Sequence, residues 1–575
     1  PDKGDPAKEE THGFNIQHCV RATIRNCKVD SVGDEAIDMS HCIDSVMTDN
    51  VVENSPGAGG AGGSISVGDG SKNVRITNNT VTGSIAGKIN WAIAVEALTE
   101  TVEDITITGN IIADMKGYGI NLGAPNGIIA DVTIDDNSIT NCNEGGIRFM
   151  GTGQTTNVSI TNTQISRTST AILVDGTNKH HTLIDNCTMD TLSSCGVNII
   201  SPSCTDTIIR NSTISNSQNR AVYNAGTGTR IDRVHIVGTG LAGGITSGAI
   251  TQYTSGGSCE VTNTVLLDCR NKRGLQMVQT VKNTLIQQPE TSGYTSIQSA
   301  TLIENCKVNR VIGAVSDCTI DGLVLYTEAD LGTHAVTLSD RTNCTVTNCK
   351  ITVPSRYAIC EIRATDHNVI TNNIAVGGSG FQIIGANTVA SGNIRATEST
   401  TEQFRYRVVD GQATITAWLD VSAVQAMIPS AVEGYPVTAI DPWAFALNES
   451  LTSILIPDSI TAIGANAFFG CDGLTEVHYP GSVAQWETID IGVNNDALLD
   501  AEWHCPTNRY SDEVAHSVMD TAAGNGLAFR FTMYASGVTV DGDKQVDMTG
   551  ATVSYLGVEC RLVGFGAIVT NNAAV

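Results

Sequence analysis

The chain has 575 residues, of which 41% are hydrophobic and only 5% aromatic, and it contains 57 Gly but 13 Pro. Its formal net charge of −26 argues against binding to nucleic-acid phosphates or to anionic lipid, because both require a basic face. No stretch of apolar residues is long enough to cross a bilayer, so we predict no membrane insertion.

A short phrase recurs through roughly the first 400 residues: two apolar positions that alternate with variable ones, followed by Asn. Copies about 25 residues apart end on Asn110, Asn137, Asn162, Asn186 and Asn211. About ten residues later, a small residue opens an alternating stretch such as Gly119-Ile120-Asn121-Leu122. Alternation is typical of strands, and this period is typical of repeat architectures. The sequence therefore predicts an all-β fold in which residues 1–395 form a right-handed parallel β-helix of about fifteen turns.

Stacked turns place equivalent residues above one another, so we predict that these five Asn side chains form one internal amide ladder. The chain also has 17 Cys, several of which directly follow a repeat Asn. A disulfide framework is one interpretation, but a long chain with a solenoid core does not need it. We predict instead that these residues are buried free thiols, namely Cys27, Cys187, Cys306 and Cys349.

The repeat changes near residue 400. The polar stretch Ala396–Glu402 precedes a new motif that begins at Val437 and returns 23 residues later at Ile460. Each copy continues through Leu-Thr to a Pro, as at Leu451–Pro457 and Leu474–Pro480. These residues resemble the BspA-like leucine-rich repeats of bacterial surface proteins. The resemblance implies a secreted or wall-attached protein in which the repeats serve adhesion.

Four segments follow from these patterns: a β-helix over 1–395, a linker over 396–409, leucine-rich repeats over 410–505, and a last segment over 506–575. The last segment alternates at Leu527–Met533 and looks like a partial β-sandwich module of surface proteins. The chain begins at Pro1 without a Met or an apolar leader, so we expect a fragment of a longer protein.

Candidate chemistry lies in the first coils. Gly33-Asp34-Glu35-Ala36-Ile37-Asp38 is followed by a glycine-rich stretch and by Ser64-Ile65-Ser66. In order and spacing, these residues resemble the active-site coils of polygalacturonases, whose carboxylates act as a general acid and as a pair that activates water. The resemblance implies catalytic roles for Asp34, Glu35 and Asp38.

The sequence departs from that family at several positions. His12 stands where the family has its first Asp, Glu35 replaces the second Asp of the Gly-Asp-Asp motif, and the Gly-His-Gly histidine has no counterpart. The strand that begins at Trp91 lacks the Arg-Ile-Lys motif. These departures argue against inherited polygalacturonase chemistry. The same three acids could instead bind Ca²⁺ or simply solvate a turn.

Two functional hypotheses remain. The first is an extracellular, secreted or wall-attached protein whose β-helix is a glycan-binding or scaffold rod and whose leucine-rich repeats bind polysaccharide, cell-surface glycan or other surface proteins. The second is a secreted polysaccharide lyase or glycoside hydrolase with its site on the first coils. Fold alone does not separate them. Converging carboxylates in a groove flanked by aromatic side chains would favour the enzyme.

Overall fold

The computed structural model describes most of the chain, with short gaps. The described residues are 13–32, 35–54, 63–83, 91–243, 246–253, 257–289, 293–314, 316–328, 330–363, 365–504 and seven strands between 515 and 570. They form two compact units that divide between Glu398 and Ser399. No helix among the described residues is long and apolar enough to cross a membrane.

The first unit is a parallel β-helix, which confirms the predicted fold class. Three parallel sheets of sixteen strands each, called A, B and C, run along it, and each coil contributes one strand to each sheet. Coils are numbered 1 to 16 in chain order, one more than the predicted count.

The strand bounds follow the coil order in every sheet. Sheet A contains Phe14–Gln17, Ile37–Ser40, Gly63–Gly68, Trp91–Glu96, Tyr118–Gly123, Gly145–Met150, Thr170–Val174, Val197–Ile199, Val222–Asn224, Gly248–Gln252, Arg273–Gln276, Thr295–Gln298, Val311–Gly313, Val336–Ser339, Tyr357–Ile362 and Gly380–Gln382. Sheet B contains Thr23–Arg25, Ile43–Thr48, Lys72–Thr77, Thr101–Thr108, Ile128–Asp135, Gln154–Thr161, Lys179–Asp185, Ile208–Arg210, Thr229–Asp232, Cys259–Thr262, Thr280–Lys282, Leu302–Glu304, Thr319–Asp321, Thr345–Thr347, Val369–Thr371 and Val389–Ser391. Sheet C contains Lys28–Asp30, Val51–Glu53, Thr80–Thr82, Ile111–Ala113, Ser138–Thr140, Gln164–Ser166, Thr188–Asp190, Thr213–Ser217, His235–Thr239, Val265–Leu267, Leu285–Gln287, Lys307–Val308, Val324–Tyr326, Lys350–Val353, Ile374–Gly377 and Ile394–Ala396.

The alternating sequence places Ile, Val and Leu on the inner faces of all three sheets. In coil 4, for example, Ile105, Ile107 and Ile112 are fully buried and belong to one continuous apolar core. Burying one such side chain contributes about 1.5–3 kcal/mol relative to its exposed state. Because each coil covers the core of the previous one, repetition of the pattern stabilises the whole solenoid.

An internal amide ladder lies at the bend between sheets B and C, but the predicted membership was partly wrong. Asn110 and Asn137 are buried there, and the ladder extends back to Asn79 and Asn50. Each amide nitrogen donates to the amide oxygen one coil further on, at 3.0 Å in all three steps. After Asn137 the same position is occupied by Thr163, Cys187 and Ser212.

The other three predicted members, Asn162, Asn186 and Asn211, lie one residue earlier in the repeat and are exposed. Their φ angles fall between 48° and 52°, the left-handed region that Asn and Asp tolerate better than other non-glycine residues. They serve to turn the chain, and their side chains hydrogen-bond outside the core, as Asn186 does to the oxygen of Asn162 at 2.7 Å. The prediction confused this outer column with the inner one.

The thiol prediction is confirmed for three of its four members. Cys187, Cys306 and Cys349 are buried and free, whereas Cys27 is free but only half-buried. Burial raises the pKa of Cys187 to about 11 and that of Cys306 and Cys349 to about 12. These thiols therefore behave as small apolar groups.

The second unit begins with two sheets and two short helices. Sheet D contains Glu398–Thr400, Phe404–Val409, Gln412–Trp418, Tyr435–Ile440, Ala462–Ile463 and Asp490–Ile491, with Ala431–Val432 paired to Tyr435–Ile440. Sheet E contains Gln425–Met427, Ser453–Leu455, Glu476–His478 and Glu502–His504, and the helices are Val483–Trp486 and Asp496–Asp500. The strand Phe404–Val409 lies within the segment predicted as a linker, and the domain boundaries themselves stay predictions.

The last segment contains short antiparallel strands. These are Ala515–Thr521 with Ala528–Tyr534, Thr539–Val540 with Gln545–Asp547 and Val569–Thr570, and Thr552–Tyr555 with Val558–Arg561. The strands agree with the alternating sequence pattern, and the β-sandwich arrangement stays a prediction.

Candidate functional site

The outer face of sheet A carries an unusual mixture of side chains. Its central outward column in coils 2 to 6 is Asp38, Ser66, Ala94, Asn121 and Arg148. In coils 7 to 11 the column continues with Leu173, Asn198, Tyr223, Thr251 and Gln276. Neighbouring coils are about 4.8 Å apart, so this column forms a continuous strip along the solenoid.

The structure describes two of the three acids singled out from the sequence. Asp34 lies outside the described residues, so its predicted catalytic role stays a prediction. Glu35 is half-buried just before the sheet A strand of coil 2. Asp38 is half-buried within that strand, on its outward side. Of the three, Asp38 therefore lies on the strip described above.

A carboxyl that the sequence analysis missed lies close to Asp38. Glu96 ends the sheet A strand of coil 4 and is half-buried. Burial is the largest cause that raises the pKa of Glu96, and the nearby negative charges of Asp38 and Asp69 raise it further, to about 7. We call Asp38, Asp69 and Glu96 the acidic end. Glu96 was not singled out because its strand reads as a core strand without the expected basic motif.

Asp69 and Gly123 lie beside Asp38 and Glu96. Asp69 accepts hydrogen bonds from the backbone N–H groups of Leu98 and Thr99 at 2.6 and 3.2 Å, so it fixes a loop. Gly123, beside Glu96 one coil further on, has no side chain to cover it. Asp38 and Glu96 are the candidate acid and base residues of the acidic end.

Next to the acidic end lies an apolar patch that contains unpaired polar atoms. Trp91, Ala94 and Tyr118 are buried together, with Met150 and Leu173 packed against them. Among the described residues, no hydrogen-bond partner is present for the Trp91 indole nitrogen or for either polar side-chain atom of Asn121, which is fully buried. Buried polar groups are nearly always satisfied, so these atoms require a partner beyond the described residues, such as water.

A cation adjoins this patch. The guanidinium of Arg148 lies 5.3 Å from the ring centre of Tyr118 and forms an ion pair with Asp175. Two lysines of the neighbouring coils do not contribute here. Lys28 pairs with Glu53 on sheet C at 2.9 Å, and Lys72 pairs with Glu103 on sheet B at 2.7 Å.

Further along the same face lies an open cleft of about 490 Å³, which we call the aromatic cleft. It is lined by Asn198, Ile200, Arg220, Tyr223, Ser247, Thr251, Tyr253 and Gln276. The rings of Tyr223 and Tyr253 are 5.3 Å apart, and Arg220 lies over Tyr223 at 5.2 Å. Arg220 is held by a 2.7 Å hydrogen bond to Ser247. Rings, amides and a fixed guanidinium thus face one space.

Metal binding by the predicted acids is not supported by any grouping of described residues. Within the described chain, one set of three potential ligands lies close together, and it consists of Glu476, His478 and His504 in sheet E. Because Asp34 lies outside the described residues, Ca²⁺ binding by Asp34, Glu35 and Asp38 stays a prediction.

Comparisons with known proteins agree with the two repeat patterns. Residues 96–266 match the family model of the right-handed beta helix region, and residues 433–489 match that of the BspA type leucine-rich repeat region. No curated protein matches the sequence.

Several solved structures resemble the solenoid distantly. The mannuronan C-5 epimerase AlgE4 A-module of Azotobacter vinelandii is 14% identical with a TM-score of 0.34, over 60% of this chain and 91% of that one. The catalytic domain of a GH87 alpha-1,3-glucanase in complex with nigerose is 13% identical with a TM-score of 0.28, over 68% and 65%. The tailspike protein of E. coli bacteriophage HK620 in complex with a pentasaccharide is 11% identical with a TM-score of 0.31, over 64% and 78%.

Similarity this low transfers no residue role to the present chain. The family matches and the strand topology together show that the chain contains a right-handed β-helix region followed by a BspA-type leucine-rich repeat region.

Proposed function

We propose that this is an extracellular modular protein whose β-helix binds a polysaccharide along the outer face of sheet A. The aromatic cleft is the observation that carries the proposal. A sugar ring has an apolar C–H face that packs on aromatic rings, and hydroxyls at its edge that bond to amides and guanidinium groups. Tyr223, Tyr253, Arg220 and the amides of Asn198 and Gln276 offer both kinds of contact in one open space.

The strip is long enough for more than one sugar unit. Five coil steps separate Glu96 in coil 4 from Tyr223 in coil 9, which is about 24 Å at the usual strand spacing. Tyr118 and the unpaired side chain of Asn121, both in coil 5, lie between these positions. A chain bound in the aromatic cleft would thus extend over the apolar patch toward the acidic end. The formal net charge of −26 favours neutral over polyanionic chains.

Binding can be tested by affinity electrophoresis in gels that contain neutral glucans, xylan, alginate or polygalacturonate. We expect the intact chain to be retarded by at least one neutral polysaccharide. Tyr223→Ala and Tyr253→Ala should each abolish the retardation, whereas Tyr326→Ala, on sheet C, should not. Equal retardation of all three variants would place binding elsewhere, and no retardation in any gel would contradict the proposal.

A second candidate function is a carbohydrate-active enzyme at the acidic end. The observation that favours it is the raised pKa of Glu96, about 7, next to the Asp38 carboxylate. A carboxyl that stays protonated near neutral pH can act as a general acid, while its charged neighbour activates water. Register places Asp38 and Glu96 two coils and two residues apart, about 12 Å between Cα atoms. Inverting glycosidases separate their carboxyl groups by about 6.5–9.5 Å, so the two side chains would have to extend toward each other.

Turnover can be followed as release of reducing ends and of unsaturated ends from the same polysaccharides. If the chain is an enzyme, Glu96→Gln and Asp38→Asn should each lower kcat by about 100-fold or more, because each removes one acid–base role. Glu103→Gln, on sheet B, is the matched control. Turnover that survives Glu96→Gln together with Asp38→Asn would exclude this site.

We also propose an adhesive, surface-exposed role for the second unit, based on its leucine-rich repeats. It is supported by the BspA-type match over residues 433–489. Labelling of intact cells with an antibody to this unit should detect the protein at the surface or in the medium. Signal that appears only after lysis would contradict an extracellular location.

A further inference from the structure

Sheet E in the second unit brings three metal-binding side chains to one place. In the register of this sheet, His478 pairs with His504, and Glu476 pairs with Glu502. The residue between them, Val477, is fully buried, so Glu476 and His478 both lie on the opposite, outward face of their strand. The imidazole rings of His478 and His504 are stacked, with centres 4.7 Å apart and planes inclined by 18°.

The ligand atoms of these side chains converge. The Nε2 atom of His478 lies 3.4 Å from Oε2 of Glu476, and one ligand atom from each of Glu476, His478 and His504 lies within 4.8 Å of the other two. Sheet pairing imposes this arrangement, since parallel neighbours stack at about 4.8 Å and residues two apart share a face. The surroundings stay open, because His478 and His504 line a groove of about 720 Å³ together with Met427, Leu455 and Trp503.

We propose that Glu476, His478 and His504 bind one divalent transition-metal ion, Zn²⁺ being the best fit. Two imidazole nitrogens and one carboxylate oxygen are a ligand set that Zn²⁺ uses in sites with an open fourth position. Imidazole disfavours Ca²⁺ and Mg²⁺, which take oxygen ligands. Zinc bonds of about 2.0–2.2 Å require ligand atoms about 3.4 Å apart in a tetrahedron. The side chains of His478 and Glu476 are 43% and 50% exposed, so they can rotate inward by the remaining distance.

The groove leaves room for a further ligand at the open coordination position of this ion. The ion lies at one end of an apolar stripe formed by Met427 and Leu455, the residues that precede His478 in the same column. Its fourth position faces the groove and takes water. The site belongs to the second unit and is independent of the glycan-binding face proposed for the β-helix.

The test is a calorimetric titration of the chelator-treated full chain with ZnCl₂ and, separately, with CaCl₂. We expect one Zn²⁺ per chain to bind at this site, and CaCl₂ to give no heat from it. His478→Gln and His504→Gln should each weaken zinc binding by about 10-fold or more, because each removes one of three ligands. The control Glu502→Gln removes the acid paired with Glu476 and should change affinity by less than about 3-fold.

Two results would overturn the proposal: no zinc binding by the unaltered chain, or unchanged affinity and stoichiometry in the variant that combines Glu476→Gln, His478→Gln and His504→Gln. Circular dichroism of each variant checks that the fold is retained. A single variant that fails to fold is replaced by the substitution of the same residue by Asn.

Discussion

A buried amide inside the solenoid is fully hydrogen-bonded, whereas one on its outer face is not bonded to any described residue. Two asparagines eleven residues apart show this difference. Asn110 and Asn121 are both 0% exposed. The Asn110 oxygen accepts from the backbone and amide nitrogens of Asn79 at 2.9 and 3.0 Å, and its nitrogen donates to Ile76 and Asn137. Asn121, on the outer face of sheet A, has no hydrogen-bond partner among the described residues for either side-chain atom.

The difference follows from repetition. Inside the bend, the same residue type returns one coil later, so each amide satisfies the next and the ladder completes itself. On the outer face, the neighbours of Asn121 in its column are Ala94 and Arg148, and neither is paired with it. An unpaired buried amide costs about 1–3 kcal/mol of desolvation. No hydrogen bond from the described residues offsets this cost at Asn121.

The largest effect is expected from Asn110→Ala. The change removes the acceptor of the Asn79 backbone N–H and one donor each to the Ile76 carbonyl and the Asn137 oxygen, so the free energy of unfolding should fall by about 3 kcal/mol. Urea denaturation followed by circular dichroism measures it. Asn110→Thr, which imitates Thr163 in the same column, should cost clearly less. A loss below about 0.5 kcal/mol for Asn110→Ala would mean that the ladder is not structural.

Glu96 should make stability depend on pH. Its carboxyl has a pKa of about 7 in the folded protein against an ordinary value of 4.5. The folded state therefore binds more protons between these values, so the free energy of unfolding decreases as pH rises from 4.5 to 7 and the low-pH stability is lost. The expected decrease is on the order of 2 kcal/mol, discounted from the full shift because Glu96 is partly exposed.

The check is urea denaturation at pH 4.5 and 7.5 for the unaltered chain and for Glu96→Gln. In Glu96→Gln, the free energy of unfolding should decrease less between pH 4.5 and 7.5, because Gln does not titrate. Asp38→Asn should reduce this pH-dependent decrease by a smaller amount, because burial is the larger cause of the raised pKa of Glu96. An identical pH dependence in the unaltered chain and Glu96→Gln would show that folding does not raise the pKa of Glu96.

A smaller effect is expected from Asn186, in the outer column of the same bend. Its φ of 52° is unfavourable for a residue with an ordinary side chain, so Asn186→Ala should reduce stability by about 1 kcal/mol. Asn186→Gly should be nearly neutral, because Gly adopts this conformation without strain. If Asn186→Ala costs as much as Asn110→Ala, the two columns do not differ as described.

These columns also show what the sequence can and cannot predict. Period and alternation were enough for the β-helix and for the buried thiols Cys187, Cys306 and Cys349, because one-dimensional repeats bury equivalent positions. They did not resolve whether the first or second residue of a pair such as Asn162-Thr163 faces inward. A slip of one residue reverses the side of a strand or bend. The left-handed turn favours Asn, Asp or Gly, and the ladder requires Asn. The two columns therefore show the same residue type in the sequence.

The candidate site was predictable only in part. Asp38 was found because it lies in a local motif, but Glu96 is 58 positions further on and joins it only through stacking of coils 2 and 4. The aromatic cleft likewise combines Tyr223 and Tyr253 from different coils. Contacts of this kind depend on coil length, which varies along the chain, so a single sequence does not place them.

The smallest effect on stability is expected at Asn121, and it is the most informative one. Replacing an unpaired buried amide by an apolar group of similar shape removes a desolvation cost, so Asn121→Leu should change the free energy of unfolding by less than about 1 kcal/mol. If a bound sugar reaches this amide, the same change should also weaken polysaccharide retardation in affinity gels. Destabilisation as large as that of Asn110→Ala would mean that Asn121 is paired within the protein. Unchanged stability together with unchanged retardation would mean that the bound chain does not reach coil 5.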